Sequence, residues 1–242
     1  IIRFMSIMQP IKNIKYIFFD IYGTLAGFYP AREQIQKKIL SKNGIFLSED
    51  QITFGYKFAD EYMAYQKQNK PLRSLTSEEK KDFFSNYQLK IIESNKIFID
   101  KKFAWKIWQE ISKEKYELRI FDDVLENLKS LSDLGFKFAG ITNMDIRGDL
   151  LIKNLGLENS LEFIVTSLES GSEKPDSKIF LESIRRANIS AFESMYVGDQ
   201  IESDYLGSQK IGMVPVLIDR YKYHEDFSGI KIKNLDEIKK LF

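Results

Sequence analysis

The first sharply patterned stretch of the chain is Tyr16-Ile17-Phe18-Phe19-Asp20-Ile21, short, almost continuously apolar and ended by Gly23-Thr24. With no polar position on either side of the pleat, it predicts a strand buried on both faces, as in parallel sheets. From about residue 31 to 117 the spacing becomes helical, predicting helices near 31–42, 48–68, 77–96 and 101–115, with Pro71 the one strong interruption. Ser48 with Gln51, and Thr76 with Glu79, have the spacing of capping boxes. The aromatic residues here (Phe54, Phe58, Tyr62, Tyr65, Phe83, Phe84, Tyr87, Trp105 and Trp108) are expected to form the core of a small helical bundle.

After Arg119 strands and helices alternate. Helices are expected near 122–134, 145–154, 176–188 and 202–210, and strands near 136–142, 163–166, 195–198 and 214–218. Gly135, Gly156 and Gly212 fall just past helix ends, where a glycine relieves the turn. The pattern predicts an α/β fold: a Rossmann-like parallel sheet core with helices on both faces, interrupted after its first strand by an all-helical insertion. The expected division is 11–27 with 119–242 for the core and 28–118 for the insertion.

Composition narrows the function. Thirty-six basic and thirty-five acidic residues leave a formal charge of +1, too small a field to gather nucleic acid or an anionic membrane. There is no cysteine, which excludes disulfides, thiolate metal sites and cysteine nucleophiles and fits a cytoplasmic protein. No apolar run has the length of a membrane span. The segment from Ile1 to Met8 is too short for a signal peptide, and Met5 or Met8 is a candidate natural start.

In open parallel sheets, ligands bind beyond the carboxyl ends of the strands. Asp20, Thr142-Asn143 and Gly198-Asp199 all sit at predicted strand ends, while Lys174-Pro175-Asp176 precedes a helix and Asp204 follows Asp199 closely. A carboxylate can attack phosphorus or carbon and be regenerated by water. A hydroxyl beside a backbone N–H can hold a phosphoryl oxygen. Lys174 would balance charge near Asp20. Two carboxylates, Asp20 and Asp199, suit Mg²⁺, which takes one or two such ligands beside phosphate and water.

These residues resemble, in order and spacing, the four motifs of the haloacid dehalogenase superfamily. Phe19-Asp20-Ile21-Tyr22-Gly23-Thr24-Leu25 resembles motif I, Thr142-Asn143 motif II, and Lys174-Pro175-Asp176 motif III. Gly198-Asp199 through Ser203-Asp204 resembles motif IV of the phosphatase branch, and the insertion lies where that family carries a C1-type helical cap. The resemblance implies a Mg²⁺-dependent phosphatase of small phosphorylated metabolites. Asp20 would be the nucleophile. Thr142 and Lys174 would contact phosphate, with Asn143 beside them, and Thr24 would support the nucleophile loop. Asp20, Asp199 and the backbone carbonyl of Tyr22 would hold the metal, with Asp204 acting through water or on Lys174.

One position departs from that pattern. Most superfamily phosphatases carry a second Asp two residues after the nucleophile, where this chain has Tyr22. A phenol is a poor general base at neutral pH, and losing general acid–base help typically costs roughly 10²–10⁴-fold. Tyr at this position also resembles 2-haloacid dehalogenases, which need no metal, whereas Asp199 resembles the phosphatases. Three readings follow: a phosphatase, a dehalogenase acting on a halogenated acid, and a non-catalytic binding protein that keeps the fold. A phosphoacceptor receiver domain is disfavoured by the large insertion. Arg32 and Arg73 are candidates for binding an anionic substrate group, and His224 reads as a surface residue. The chain is expected to act as a monomer or homodimer.

Overall fold

The computed structural model describes residues 10–70 and 72–242, without the side chains of residues 67, 68 and 73. The two candidate start methionines therefore lie outside the described residues, as do Pro71 and the side chain of Arg73. The chain divides into two compact units. One comprises the residues up to Gly27 together with Leu118–Phe242, and the other is Phe28–Glu117.

The first unit is built on a six-stranded, all-parallel sheet. Its strands are β1 (Tyr16–Phe19), β4 (Lys137–Thr142), β5 (Ile164–Thr166), β6 (Ser194–Gly198), β7 (Val214–Ile218) and β8 (Lys231–Ile232), in the order β5-β4-β1-β6-β7-β8. β2 (Ala26–Tyr29) and β3 (Glu117–Ile120) form a separate two-stranded sheet at the points where the chain leaves the first unit and returns. All four residues of β1 are buried, and they alternate between two cores. Ile17 and Phe19 pack on one face with Val124, Leu128, Met195 and Val216. Tyr16 and Phe18 pack on the other with Ile141, Ile179, Phe180 and Tyr196. Helices cover both faces, which is why the strands read as continuous apolar runs. Among the helices are α5 (Val124–Ser132), α6 (Gly148–Asn154), α7 (Ser167–Ser170) and α8 (Ser177–Ala187). A π-helical turn, Ile201–Leu206, runs into the short α9 (Gly207–Gln209), where the periodicity predicts an ordinary helix.

The second unit holds α1 (Arg32–Lys42), α2 (Glu49–Asn69), α3 (Ser77–Glu93) and α4 (Lys101–Ile111). Both expected capping boxes form: Ser48 with Gln51 opens α2, and Thr76 with Glu79 opens α3. Ile39, Leu40, Ile52, Tyr56, Phe83, Tyr87, Ile91 and Ile107 make its core. Phe84 stacks on Trp108 with ring centroids 3.9 Å apart. Three of the aromatic residues expected in this core are instead exposed: Phe54 at 51%, Phe58 at 38% and Tyr65 at 67%. Helix α2 is long enough that only one stripe of it can face its neighbours, and these rings lie off that stripe. Among the described residues, no helix is long and apolar enough to cross a membrane.

Candidate active site

β1 lies at the point where the strand order reverses, flanked by β4 and β6, with Phe19 opposite Gly140 on one side and Val197 on the other. The residue after β1 is therefore delivered into the crevice that such a reversal opens. That residue is Asp20, buried, with its N–H donating to the carbonyl of Val197 at 2.9 Å. Beyond it the chain turns sharply. Leu25 and Ala26 both donate to the carbonyl of Ile21, and Gly23 donates to Ala26. Gly23 has φ +88°, and a Cβ there would overlap Oδ2 of Asp199. Only a glycine fits both the left-handed conformation and that close approach.

Lys174 reaches the same crevice from the segment before α8. Its side chain is 4% exposed, and its ammonium donates to Oδ1 of Asp20 at 2.6 Å, to Oδ1 of Asp204 at 2.6 Å and to the phenol oxygen of Tyr196 at 2.9 Å. Asn143 fixes the backbone of Lys174 from both sides. Its Oδ1 accepts the Lys174 N–H at 2.6 Å, and its Nδ2 donates to the Lys174 carbonyl at 3.0 Å. Thr142, the last residue of β4, is buried one position earlier.

Asp199 follows β6. Oxygens of Asp20, Asp199 and Asp204 lie within 4.8 Å of one another. Three carboxylates facing one ammonium leave two uncompensated negative charges when all are ionised. Burial is the main cause that pushes the Asp20 carboxyl up to about 6, with Asp204 adding repulsion and Lys174 opposing both. Burial, then Asp20 and Asp204, raise Asp199 well above the usual carboxylate range. Burial alone would lower Lys174, but Asp20 and Asp204 together hold it above its ordinary value. Oδ1 of Asp199 and Oγ1 of Thr24 are buried without a hydrogen-bond partner. A buried carboxylate oxygen with no donor is costly unless something neutralises it. The donor set, the surplus charge and the unpartnered oxygen of Asp199 together fit a small divalent cation held by carboxylate oxygens.

Tyr22 is half-buried and bridges to Ala26. In the second unit, Arg32 pairs with both oxygens of Asp60 at 3.2 and 2.8 Å and with Glu33 at 3.0 Å, and its guanidinium lies 4.1 Å over the ring of Tyr56. Its charge is thus balanced inside its own unit. His224 is half-buried, its backbone N–H donating to Oδ2 of Asp219. Two participants carry no sequence signal. Tyr196 sits in an ordinary apolar strand pattern. Arg220 grips the carbonyl of Thr24 at 2.8 Å while pairing with both oxygens of Asp123.

Comparison with known proteins identifies the family. A family described as haloacid dehalogenase-like hydrolase matches residues 17–218. A glyceraldehyde 3-phosphate phosphatase of Methanopyrus kandleri is 36% identical over 109 residues, covering 45% of this chain and 47% of that protein. The chain thus spans about half the length of the first curated relatives it matches. Another glyceraldehyde 3-phosphate phosphatase, of Methanothermobacter thermautotrophicus, is 26% identical over 94% of this chain and 98% of its own length. Among solved structures, a putative HAD-hydrolase from Bacillus subtilis, crystallised with magnesium, shares the fold. Its TM-score is 0.60 at 16% identity, over 94% of this chain and 98% of that one.

Proposed function

The chain belongs to the haloacid dehalogenase-like hydrolases, and on that premise we propose that it is a Mg²⁺-dependent phosphatase acting on a small phosphorylated metabolite through an aspartyl-phosphate intermediate. The observation that carries this reading is the orphaned Oδ1 of Asp199, buried opposite a glycine that has no room for a side chain. Asp20, Asp199 and the backbone carbonyl of Tyr22 would hold the ion, with Asp204 behind them. Bound there, Mg²⁺ would offset the surplus negative charge and draw charge from the phosphoryl group in the transition state.

The protein's own groups do the rest. An oxygen of Asp20 attacks phosphorus, and the alkoxide or phenoxide departs. Water then attacks the acyl phosphate, returning the carboxylate and releasing phosphate. Lys174 holds Asp20 in place and reduces its repulsion of the incoming anion. Thr142 holds a phosphoryl oxygen. Asn143 acts one step back, by fixing the backbone of Lys174. Asp204 accepts from Lys174, Tyr196 and the N–H of Gln200, so its oxygens are already occupied, and we assign it to holding Lys174 rather than to direct metal contact. The helical unit Phe28–Glu117 would be the cap of the family. The relatives named as glyceraldehyde 3-phosphate phosphatases support a small sugar-like phosphate as substrate.

Tyr22 favours a second reading, metal-independent displacement of halide from a 2-haloacid. Against it stands Asp199, which without a cation would repel both a substrate carboxylate and Asp20. The deciding experiment is a panel of alkyl, aryl and acyl phosphates assayed with and without Mg²⁺, beside 2-haloacids. Phosphate release that requires Mg²⁺ is expected. Metal-independent halide release would replace the phosphatase reading, and silence on both panels would leave the non-catalytic one.

A further inference from the structure

Tyr196 lies in the middle of β6 with a relative exposure of 0%, its ring packed edge-on against Phe180. An apolar residue would suit that position, and a buried phenol is tolerated only where its O–H has partners. The oxygen of Tyr196 lies 2.9 Å from Nζ of Lys174, 3.0 Å from Oδ1 of Asp204 and 3.4 Å from the carbonyl of Ile141. An ammonium can only donate, so the phenol accepts from Lys174, and its own hydrogen goes to Asp204, the nearer acceptor.

The consequence is a count of donors. Lys174 has three N–H bonds, and in this geometry they go to Asp20, Asp204 and Tyr196. A flexible four-carbon stem rotates its ammonium freely unless all three directions are taken. With Tyr196 present, one orientation satisfies every group, and it aims one N–H at the nucleophile. Without the phenol oxygen, the third N–H would be buried and unmatched, and Oδ1 of Asp204 would lose one of its two donors. Swinging the ammonium further onto Asp204 would then compete with its bond to Asp20.

We propose that Tyr196 is a positioning residue: its phenol orients the Lys174–Asp204 pair and so holds the ammonium of Lys174 on the nucleophile Asp20. This rests on the phosphatase reading for its catalytic meaning, but not for its geometry. Tyr196 acts through Lys174 and touches no reacting atom.

The test is Y196F, which keeps the buried ring and removes one oxygen. Activity is taken per folded protein, and the variant is also combined with Asp204→Asn. The expected result with a phosphate ester that the wild type hydrolyses is a kcat about tenfold lower, the size of one hydrogen bond to a charged group, with KM changed less than twofold. The double variant should be little worse than Asp204→Asn alone, because both changes break the same pair. An unchanged kcat with only a lower Tm, or fully additive losses, would overturn the proposal. If the wild type releases no phosphate from any ester, the phosphatase reading fails, and the crystal structure of Y196F still decides. Nζ of Lys174 displaced from Asp20 supports the positioning role, and Nζ unmoved refutes it.

Discussion

Lys174 and Asp20 stand 154 positions apart in sequence, and their side chains meet through a 2.6 Å ion pair in which both are almost wholly buried. Such a pair is weak evidence of net stability, because burying both charges costs about what their attraction returns. Removing one partner is a different matter. Lys174→Met would leave Asp20 and Asp204 buried without their shared counter-charge, and we expect a loss of about 3–5 kcal/mol. Urea unfolding of the metal-free variant measures it, and a loss below ~1 kcal/mol would show that water reaches these carboxylates.

The carboxyl of Asp20 also makes stability depend on pH. Its ordinary value is 3.8, and in the folded protein it is pushed up to about 6, mainly by burial. A raised acid binds its proton more tightly when folded than when unfolded. Its contribution is therefore fully present below the unfolded value and lost as pH rises through the folded one. Asp20→Asn removes that titration. In metal-free protein, the Tm of the wild type should fall relative to the variant between about pH 4 and pH 6. Parallel curves would show that burial does not perturb Asp20. The same variant should release no phosphate at any pH, and retained turnover would rule out attack by this carboxylate.

Gly23→Ala tests the cradle beside Asp199. The substitution meets two obstacles, a left-handed φ of +88° and the carboxylate of Asp199. We expect about 1–2 kcal/mol of destabilisation from the backbone conformation. Displacement of Asp199 should also weaken Mg²⁺ binding at least tenfold by calorimetric titration. Normal Mg²⁺ affinity would mean that Asp199 is not a ligand.

Tyr22→Asp tests the departure in the nucleophile loop. An added carboxyl can protonate a leaving alkoxide, worth roughly 10²-fold or more where the leaving group needs a proton. Turnover of alkyl phosphates should rise more than that of aryl phosphates. Equal gains for both would remove leaving-group protonation as the meaning of this position.

What the sequence determined by itself was local and periodic. The doubly buried β1, the capping boxes at Ser48 and Thr76, and the alternation after Arg119 follow from spacing alone, because short-range sterics and hydrogen bonds produce them. Asp20 and Asp199 were legible as candidates because a parallel sheet must end its strands on one rim, and Lys174 because its segment joins them in motif order. Four-residue β2 and β3 were not, since their pairing depends on chain ends that are distant in sequence. Phe54, Phe58 and Tyr65 needed the packed bundle to decide which stripe of α2 faced inward. Above all, the tertiary structure decided who holds whom. Asn143 binds the backbone of Lys174, Arg220 grips Thr24, and Tyr196 joins Lys174 to Asp204. Spacing along a strand says which face a side chain takes. Which distant polar tip it meets is settled only when burial forces every donor to find an acceptor.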